Sequence, residues 1–336
     1  MRAARIHRYG TADELVIEEA PVPTPGRGQV LVRVICAAVN PIDWKMRSGA
    51  QAAVIRRPFP LILGLDCSGV VEAVGPGVTA LAPGDEVFSS PDHKRDGTYA
   101  EFTVIPEGQL ARKPASLTHA QAASLPLVGL TAWDCLVRAA DLKSGEKVLI
   151  HAGSGGVGTF AIQLARHLGA EVATTCSGRN AAWVRSLGAD RVVDYQQERF
   201  EDVLPPQDVI LECLGGDSLP RSLTLLRRGG RLTSINSGMP AHVKRWGPVL
   251  GLVVTIALNL RVLVVQRLFR GVRYAMVLRQ PDGRVLARIG ELADAGAIAP
   301  KIDREVALDD IADAHRHGET GRAQGKIVVR IAPDPA

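Results

Sequence analysis

Lys147 to Ala165 reads KVLIHAGSGGVGTFAIQLA, and this stretch limits the fold more than any other. KVLI is a short apolar run of the kind a strand buried on both faces needs, and TFAIQLARHLG carries helical spacing. Between them Gly153, Gly155, Gly156 and Gly158 spell G-x-G-G-x-G, with Ser154 and Val157 at the variable places. Glycine allows the tight strand-to-helix turn and lets backbone N–H groups approach a pyrophosphate at the helix N-terminus. The alternation then continues: EVATTCS reads as a strand, AAWVRSLGA as a helix, and RVVDY, DVILECLG and GGRLTSINSG as strands, with GVRYAMVL (271–278) as the last strand. Strands alternating with helices give a doubly wound parallel sheet, and these six residues of the glycine loop are its candidate dinucleotide site.

The second strand should end near the adenine ribose, where an enzyme using NADH places an acid for the 2′-hydroxyl. TTCSGRN has none; Ser177 and Arg179 stand there, and Tyr195 ends the next strand. A hydroxyl and a guanidinium suit a 2′-phosphate, because arginine grips phosphate through a rigid fork. The expected cofactor is NADPH. Leu214, at the end of DVILECLG, is a further candidate contact.

On either side the texture differs. VLVRVICAAV (30–39), VVEAVG (70–75), EVFSS (86–90) and AEFTVI (100–105) are strand-like runs separated by turn signals such as GPGVTALAPGD. A helix is expected to begin at Thr118 and lead through Gly129 towards Ala140, and the tail carries helices across 284–295 and 309–316 and a final strand, KIVVRI. The division is a mostly-β domain from 1–124 and 279–336, interrupted by a nucleotide-binding domain at 125–278. In 336 residues, 46% hydrophobic and 22% charged, both halves have material for a core. No Lys/Arg cluster interleaved with aromatics points to nucleic acid. The five cysteines are scattered, with no C-x-x-C pair, as expected of buried reduced thiols in a cytosolic protein. MRAARIHRYG has no apolar run of signal-peptide length, so the expected location is the cytoplasm.

One segment tests that reading. Gly247 to Leu260, GPVLGLVVTIALNL, has no charge, and Arg261 precedes VLVVQRLF. A bilayer-spanning helix needs about 20 apolar residues, so the expectation is a buried helix or a subunit interface, with a membrane-surface helix or the lining of an apolar pocket as the alternatives for 247–269. Of the eight histidines, His151 is expected in the core, and His315 and His317 on a solvated helix face.

PTPGRGQVLVRV, AAVNPIDWKMRSG, LGLDCSGVVEAVGPGV, PGDEVF, GTYAEF and AGSGGVG together resemble the medium-chain dehydrogenase/reductase superfamily, in its zinc-free quinone oxidoreductase branch. VRYAMVLRQPDG, ELADAGAIAPKID and ETGRAQGKIVV resemble the reticulon-interacting mitochondrial NADPH oxidoreductase type within it, though without a mitochondrial leader. The resemblance implies a GroES-like mostly-β catalytic domain, a Rossmann NADPH domain, and a homodimer joined near 271–278. Where zinc-dependent relatives carry Cys, His-Glu and Cys around a catalytic metal, this chain has Asn40, Leu65-Asp66 and Leu127, so no metal is expected. Asp66 is then an acid capping nearby N–H groups, and Cys67 a small core residue.

The resemblance also assigns roles. Asn40, Asp43 and Thr131 become candidate catalytic residues, with turn chemistry as the alternative for N-P-x-D and a self-bonded helix hydroxyl for Thr131. Ser234 and Ile235 fall beside the nicotinamide ribose. Gly325 and Lys326 close over the cofactor, unless Lys326 is a surface lysine. Tyr99 is expected to pack, and no general acid is evident. The implied activity is zinc-independent hydride transfer from NADPH to quinones or activated C=C and carbonyl compounds. The alternatives are an alkenal/enone or enoyl-thioester reductase, the latter disfavoured by the lack of a tyrosine in WKMRSGAQAAV, and a non-enzymatic NADPH sensor that binds a membrane or a partner. Substrate choice is assigned to loops at 45–60, 90–97 and 240–270.

Overall fold

The strand β3 (Gln29–Val39) is buried along almost its whole length, and the first half of the chain is built around it. The computed structural model describes residues 1–52, 57–236 and 238–334, with backbone alone at 240, 244 and 248. These divide into two compact units, Met1–Leu130 with Gln280–Ala336, and Thr131–Arg279. The sequence reading put the joins at 124/125 and 278/279.

In chain order the elements are β1 (Arg2–Ile6), β2 (Val16–Glu19), β3, α1 (Pro41–Arg47), β4 (Leu61–Ile62), β5 (Cys67–Val74), β6 (Glu86–Ser89), β7 (Phe102–Pro106), β8 (Leu110–Arg112), α2 (His119–Ala123) and α3 (Pro126–Trp133). Then come β9 (Lys147–Ile150), α4 (Gly156–His167), β10 (Glu171–Cys176), α5 (Ala181–Ser186), β11 (Arg191–Asp194), α6 (Phe200–Val203), β12 (Gln207–Glu212), α7 (Ser218–Leu225), β13 (Leu226–Ser234), α8 (Met239–Trp246), α9 (Pro248–Arg270) and β14 (Arg273–Met276). The tail adds α10 (Gly283–Asp294), β15 (Ile302–Ala307), α11 (Ile311–Glu319) and β16 (Lys326–Arg330).

In the first unit the described strands form a small sheet, β2-β1-β4, and a larger one, β15-β16-β3-β5-β6-β8, with β7 on β3. β16 runs antiparallel to β3 with Ile327 opposite Val39, so the register sets Lys326 against Asn40. Asn40 begins α1: proline follows it, and the Asp43 carboxylate accepts the Asn40 N–H at 2.8 Å. Thr118 caps α2 as its sequence predicts, accepting from Gln121 N–H while Gln121 accepts the Thr118 N–H. α11 turns Ile311, Ala314, His315 and Gly318 inward, a stripe at helical spacing.

The second unit is a parallel sheet ordered β11-β10-β9-β12-β13-β14 among the described strands. The order reverses between β9 and β12, and open α/β sheets place their ligand site at such a switch. α4 packs on it through Phe160, Ala161, Ile162, Leu164 and Ala165.

Two expectations fail here. The segment 240–270 is not a loop but the helical pair α8–α9, and α9 is not a buried helix: only 11% of its apolar window is buried. Its inward stripe carries mostly small and polar residues, with Val262 packed on the core, so most of its hydrocarbon is left outside. The side chains at 240, 244 and 248 lie outside the described residues, as do 53–56 of the expected 45–60 loop.

Candidate functional site

In the second unit the glycine loop follows β9, and Gly155 starts α4 with no side chain capping it. The N–H groups of Gly156, Val157 and Gly158 occupy the first turn, where a helix offers no partner of its own. A Cβ on Gly158 would stand 2.2 Å from the Ala152 carbonyl oxygen, and one on Gly153 2.1 Å from Thr174 Oγ1. The loop therefore closes tightly only with glycine at these places, and its free donors fit a pyrophosphate. The other candidates lie along the same sheet edge, because each follows the C-terminal end of a parallel strand. Ser177 and Arg179 follow β10, Tyr195 follows β11, Leu214 follows β12, and Ser234 and Ile235 end β13. Arg179 and Tyr195 are exposed, while Ser177 and Ser234 are buried. Thr131 is a buried residue of α3, the first residue of this unit.

His151 is a core residue, as expected. Its ring meets Thr175 Oγ1 at 3.1 Å and Ser222 Oγ at 2.9 Å, and burial lowers its pKa. Ser222 and Ser218 in turn donate to the buried Glu212 carboxylate, which also accepts the N–H groups of Leu214 and Gly215. This network fixes the turn after β12 that carries Leu214.

The first unit holds a second polar cluster, entirely buried. Asn40, Asp66 and Leu127, three of the four positions that the resemblance matches to the metal surroundings of zinc-dependent relatives, come together. Asp66 Oδ1 accepts the Leu127 N–H at 2.7 Å, and Oδ2 accepts the Asn40 amide at 2.8 Å and the Lys326 ammonium at 3.1 Å. Lys326 also donates to the Val39 carbonyl at 3.0 Å and to Asn40 Oδ1. One carboxylate and one ammonium, every hydrogen bond made, fill the spot. Burial pushes the Asp66 carboxyl above its ordinary value, and Lys326, then Asn40 and the Leu127 N–H, oppose the rise without cancelling it. Cys67 beside it is buried, and its thiol is pushed up by the same desolvation.

Asp43 Oδ2 accepts the Asn40 N–H and the Tyr99 hydroxyl, the latter at 2.9 Å, while its Oδ1 is buried without a partner. Burial raises this carboxyl to about 7, against the lowering effect of Asn40 and Tyr99. Behind Tyr99 stands His315, whose Nε2 is 3.3 Å from the hydroxyl, and Arg47 reaches His315 Nδ1 at 2.9 Å. Arginine does not give up its proton, so Nδ1 must accept, Nε2 carries the hydrogen, and the imidazole is neutral. Desolvation, then Arg47, holds its pKa down at about 3.

Three expectations change. Lys326 is not a surface lysine but 5% exposed and paired with Asp66; Gly325 before it has φ +88° and no room for a Cβ beside the Lys301 carbonyl. His315 is fully buried rather than solvated, because it lies on the inward stripe of α11, while His317 bonds Asp303 at 2.7 Å. Tyr99 packs, but its hydroxyl also serves Asp43. Asn40 has both ends of its amide engaged within the cluster. Sequence reasoning missed Arg47, His315 and the Asp66–Lys326 pair; the only advance signal was Arg47 four residues beyond an apolar-flanked N-P-x-D turn.

Residues 26–115 match the alcohol dehydrogenase GroES-like domain, and residues 187–329 match the zinc-binding dehydrogenase family. The chain is 37% identical to the mitochondrial NAD(P)H oxidoreductase RTN4IP1 of Mus musculus, over 90% of this chain and 82% of that one. It belongs to the zinc-free branch of the medium-chain dehydrogenase/reductase family. Another member, the chloroplastic NADPH-dependent alkenal/one oxidoreductase of Arabidopsis thaliana, is 33% identical over 99% of this chain and 80% of its own. The Escherichia coli quinone oxidoreductase, solved with NADPH, superposes with a TM-score of 0.84 at 26% identity, covering 98% of this chain and all of that one. This chain is an oxidoreductase of that medium-chain family, with the GroES-like and Rossmann architecture its sequence implied.

Proposed function

We propose that the chain reduces quinones, or C=C bonds conjugated to a carbonyl, with NADPH and without a metal ion. The observation that carries the reading is the Lys326 ammonium on Asp66, where the related zinc enzymes hold their metal. A monovalent cation with its hydrogen bonds already made does not ionise an alcohol as zinc does, so the substrate must be one that accepts hydride unaided. NADPH, when bound, supplies the hydride. The first turn of α4 holds its pyrophosphate, and Ser177 and Arg179 hold its 2′-phosphate. Reduction also consumes a proton, and Asp43 is the group that can carry one at neutral pH: its carboxyl titrates near 7 and Oδ1 has no partner.

Loss of NADPH absorbance against a benzoquinone, phenanthrenequinone, an enone, an alkenal and crotonyl-CoA tests this. Turnover of quinones or enones is expected, and cofactor binding with no turnover of any acceptor would contradict it. Arg179→Ala should raise the NADPH KM by about tenfold or more with little change in kcat, because a guanidinium–phosphate contact is lost. An unchanged KM removes Arg179 from the cofactor site. The alkenal/one relative favours C=C reduction as the finer reading, which product analysis on the enone decides.

A further inference from the structure

α9 is built inside out. Gly251, Thr255, Asn259, Gln266 and Arg270 face the protein, spaced for one stripe of a helix. Gly251 lets α8 approach, since a Cβ there would stand 2.6 Å from Val243 backbone. Thr255 Oγ1 is 2.8 Å from His242 Nδ1, Asn259 accepts the Tyr274 hydroxyl at 2.6 Å, and Arg270 donates to the carbonyls of Leu223 and Leu226. The other side is hydrocarbon: Val249 is 77% exposed, Leu268 73% and Phe269 74%, with Val253, Ile256 and Leu260 exposed between them. A helix packed on a water-soluble domain shows the reverse polarity. Its outer surface spans more than half the helix circumference at 100° per residue, wider than the stripe a single packed helix would cover.

The charge along this stretch of the chain has one sign. From Ser218 to Pro281 the chain has eleven Lys/Arg and no Asp or Glu; elsewhere 29 Lys/Arg face 35 Asp/Glu. Arg221, Arg227 and Arg231 pair with acids of neighbouring elements. Arg245, Arg261 and Arg267 have no ion pair among the described residues, and Arg245 lies over the Trp246 ring at 4.8 Å. Whatever covers this surface is thus apolar in its interior and negative at its rim. Two α9 faces apposed would bring two acid-free basic segments together, which like-charge repulsion opposes.

We propose that α8–α9 is a docking surface for a lipid bilayer containing anionic phospholipid. α9 lies in the plane of the interface, its hydrocarbon at the acyl boundary and Arg261 and Arg267 reaching the headgroups. It does not span, because the hydrogen bonds of its inner stripe tie it to α8, β14 and the α7–β13 connection along its length.

The test is flotation of the full chain with vesicles of phosphatidylcholine alone or mixed with phosphatidylglycerol, at low and high salt. Flotation with the anionic vesicles is expected, weakened by salt and by removal of phosphatidylglycerol. V253E/L260E should abolish it, and R261Q/R267Q should weaken it by about tenfold or more at low salt; NADPH binding by both variants reports that they are folded. Quenching of Trp246 fluorescence by brominated lipid, absent in W246F, reads the same contact in the otherwise native chain. Failure to float on either vesicle overturns the proposal, whether the protein is then monomeric or forms a dimer that V253E/L260E dissociates; the second result would assign α9 to a second copy. Flotation that V253E/L260E leaves intact overturns it too.

Discussion

Asp43 and Asp66 are both fully buried carboxylates in the first unit, and they are held in opposite ways. Asp66 has an ammonium against it and a donor on each oxygen; Asp43 has two donors on one oxygen and none on the other. Burial raises both above the ordinary carboxylate range, Asp43 to about 7, and Lys326 opposes the rise at both, but only Asp66 touches its ammonium. Burial alone therefore does not say what an acid is for. The one in contact with a lysine is an ion pair, and the one with an unpartnered oxygen and a carboxyl raised to about 7 can exchange a proton near neutrality.

The largest effect that would break this contrast is on Lys326. Lys326→Met leaves Asp66 buried without its cation and should cost about 3–5 kcal/mol in denaturant unfolding, most of it recovered in Lys326→Met/Asp66→Asn. A single-variant loss below about 1 kcal/mol would mean that the pair is not the partner Asp66 needs.

The next effect lies in pH. Unfolded, Asp43 titrates near 3.8; folded, near 7. Between those values the folded chain keeps a proton that the unfolded chain has lost, so this group's contribution is full below about pH 4 and disappears as pH rises towards 7. His315 has the opposite sign, its pKa falling from 6.5 to about 3 on folding, so its contribution is present above 6.5 and lost as pH falls through that range. Asp43→Asn should remove the first slope and expose the second. A stability–pH curve that Asp43→Asn leaves unaltered would contradict the assignment. The smallest effect belongs to Tyr99→Phe: losing one hydrogen bond should cost about 1 kcal/mol and move the Asp43 midpoint upward, since the Tyr99 hydroxyl lowers it. A midpoint that moves down would mean that Tyr99 favours the protonated acid.

What could be read in the sequence follows the same division. The six parallel strands, the glycine turn and the helix start at Thr118 are local patterns, and they stand where the spacing puts them. The candidate residues after β9 to β13 share an edge because parallel strands must end together. Contacts between distant parts of the chain were not legible: His315 reaches Tyr99 and Arg47, and Lys326 reaches Asp66, only through the register of β16 on β3 and the inward turn of α11. α9 was misread for another reason. Its apolar composition is that of a core helix, and only the placement of Thr255, Asn259 and Gln266 on one stripe shows that the polar side faces in.

Turnover before and after exhaustive chelation, with a quinone or enone as acceptor and NADPH as donor, tests the central claim most directly. If Lys326 is the resident cation at Asp66, the rate is unchanged by chelator, added zinc does not raise it, and simple alcohols are not oxidised with NADP⁺. Loss of activity on chelation, restored by zinc, would contradict the account.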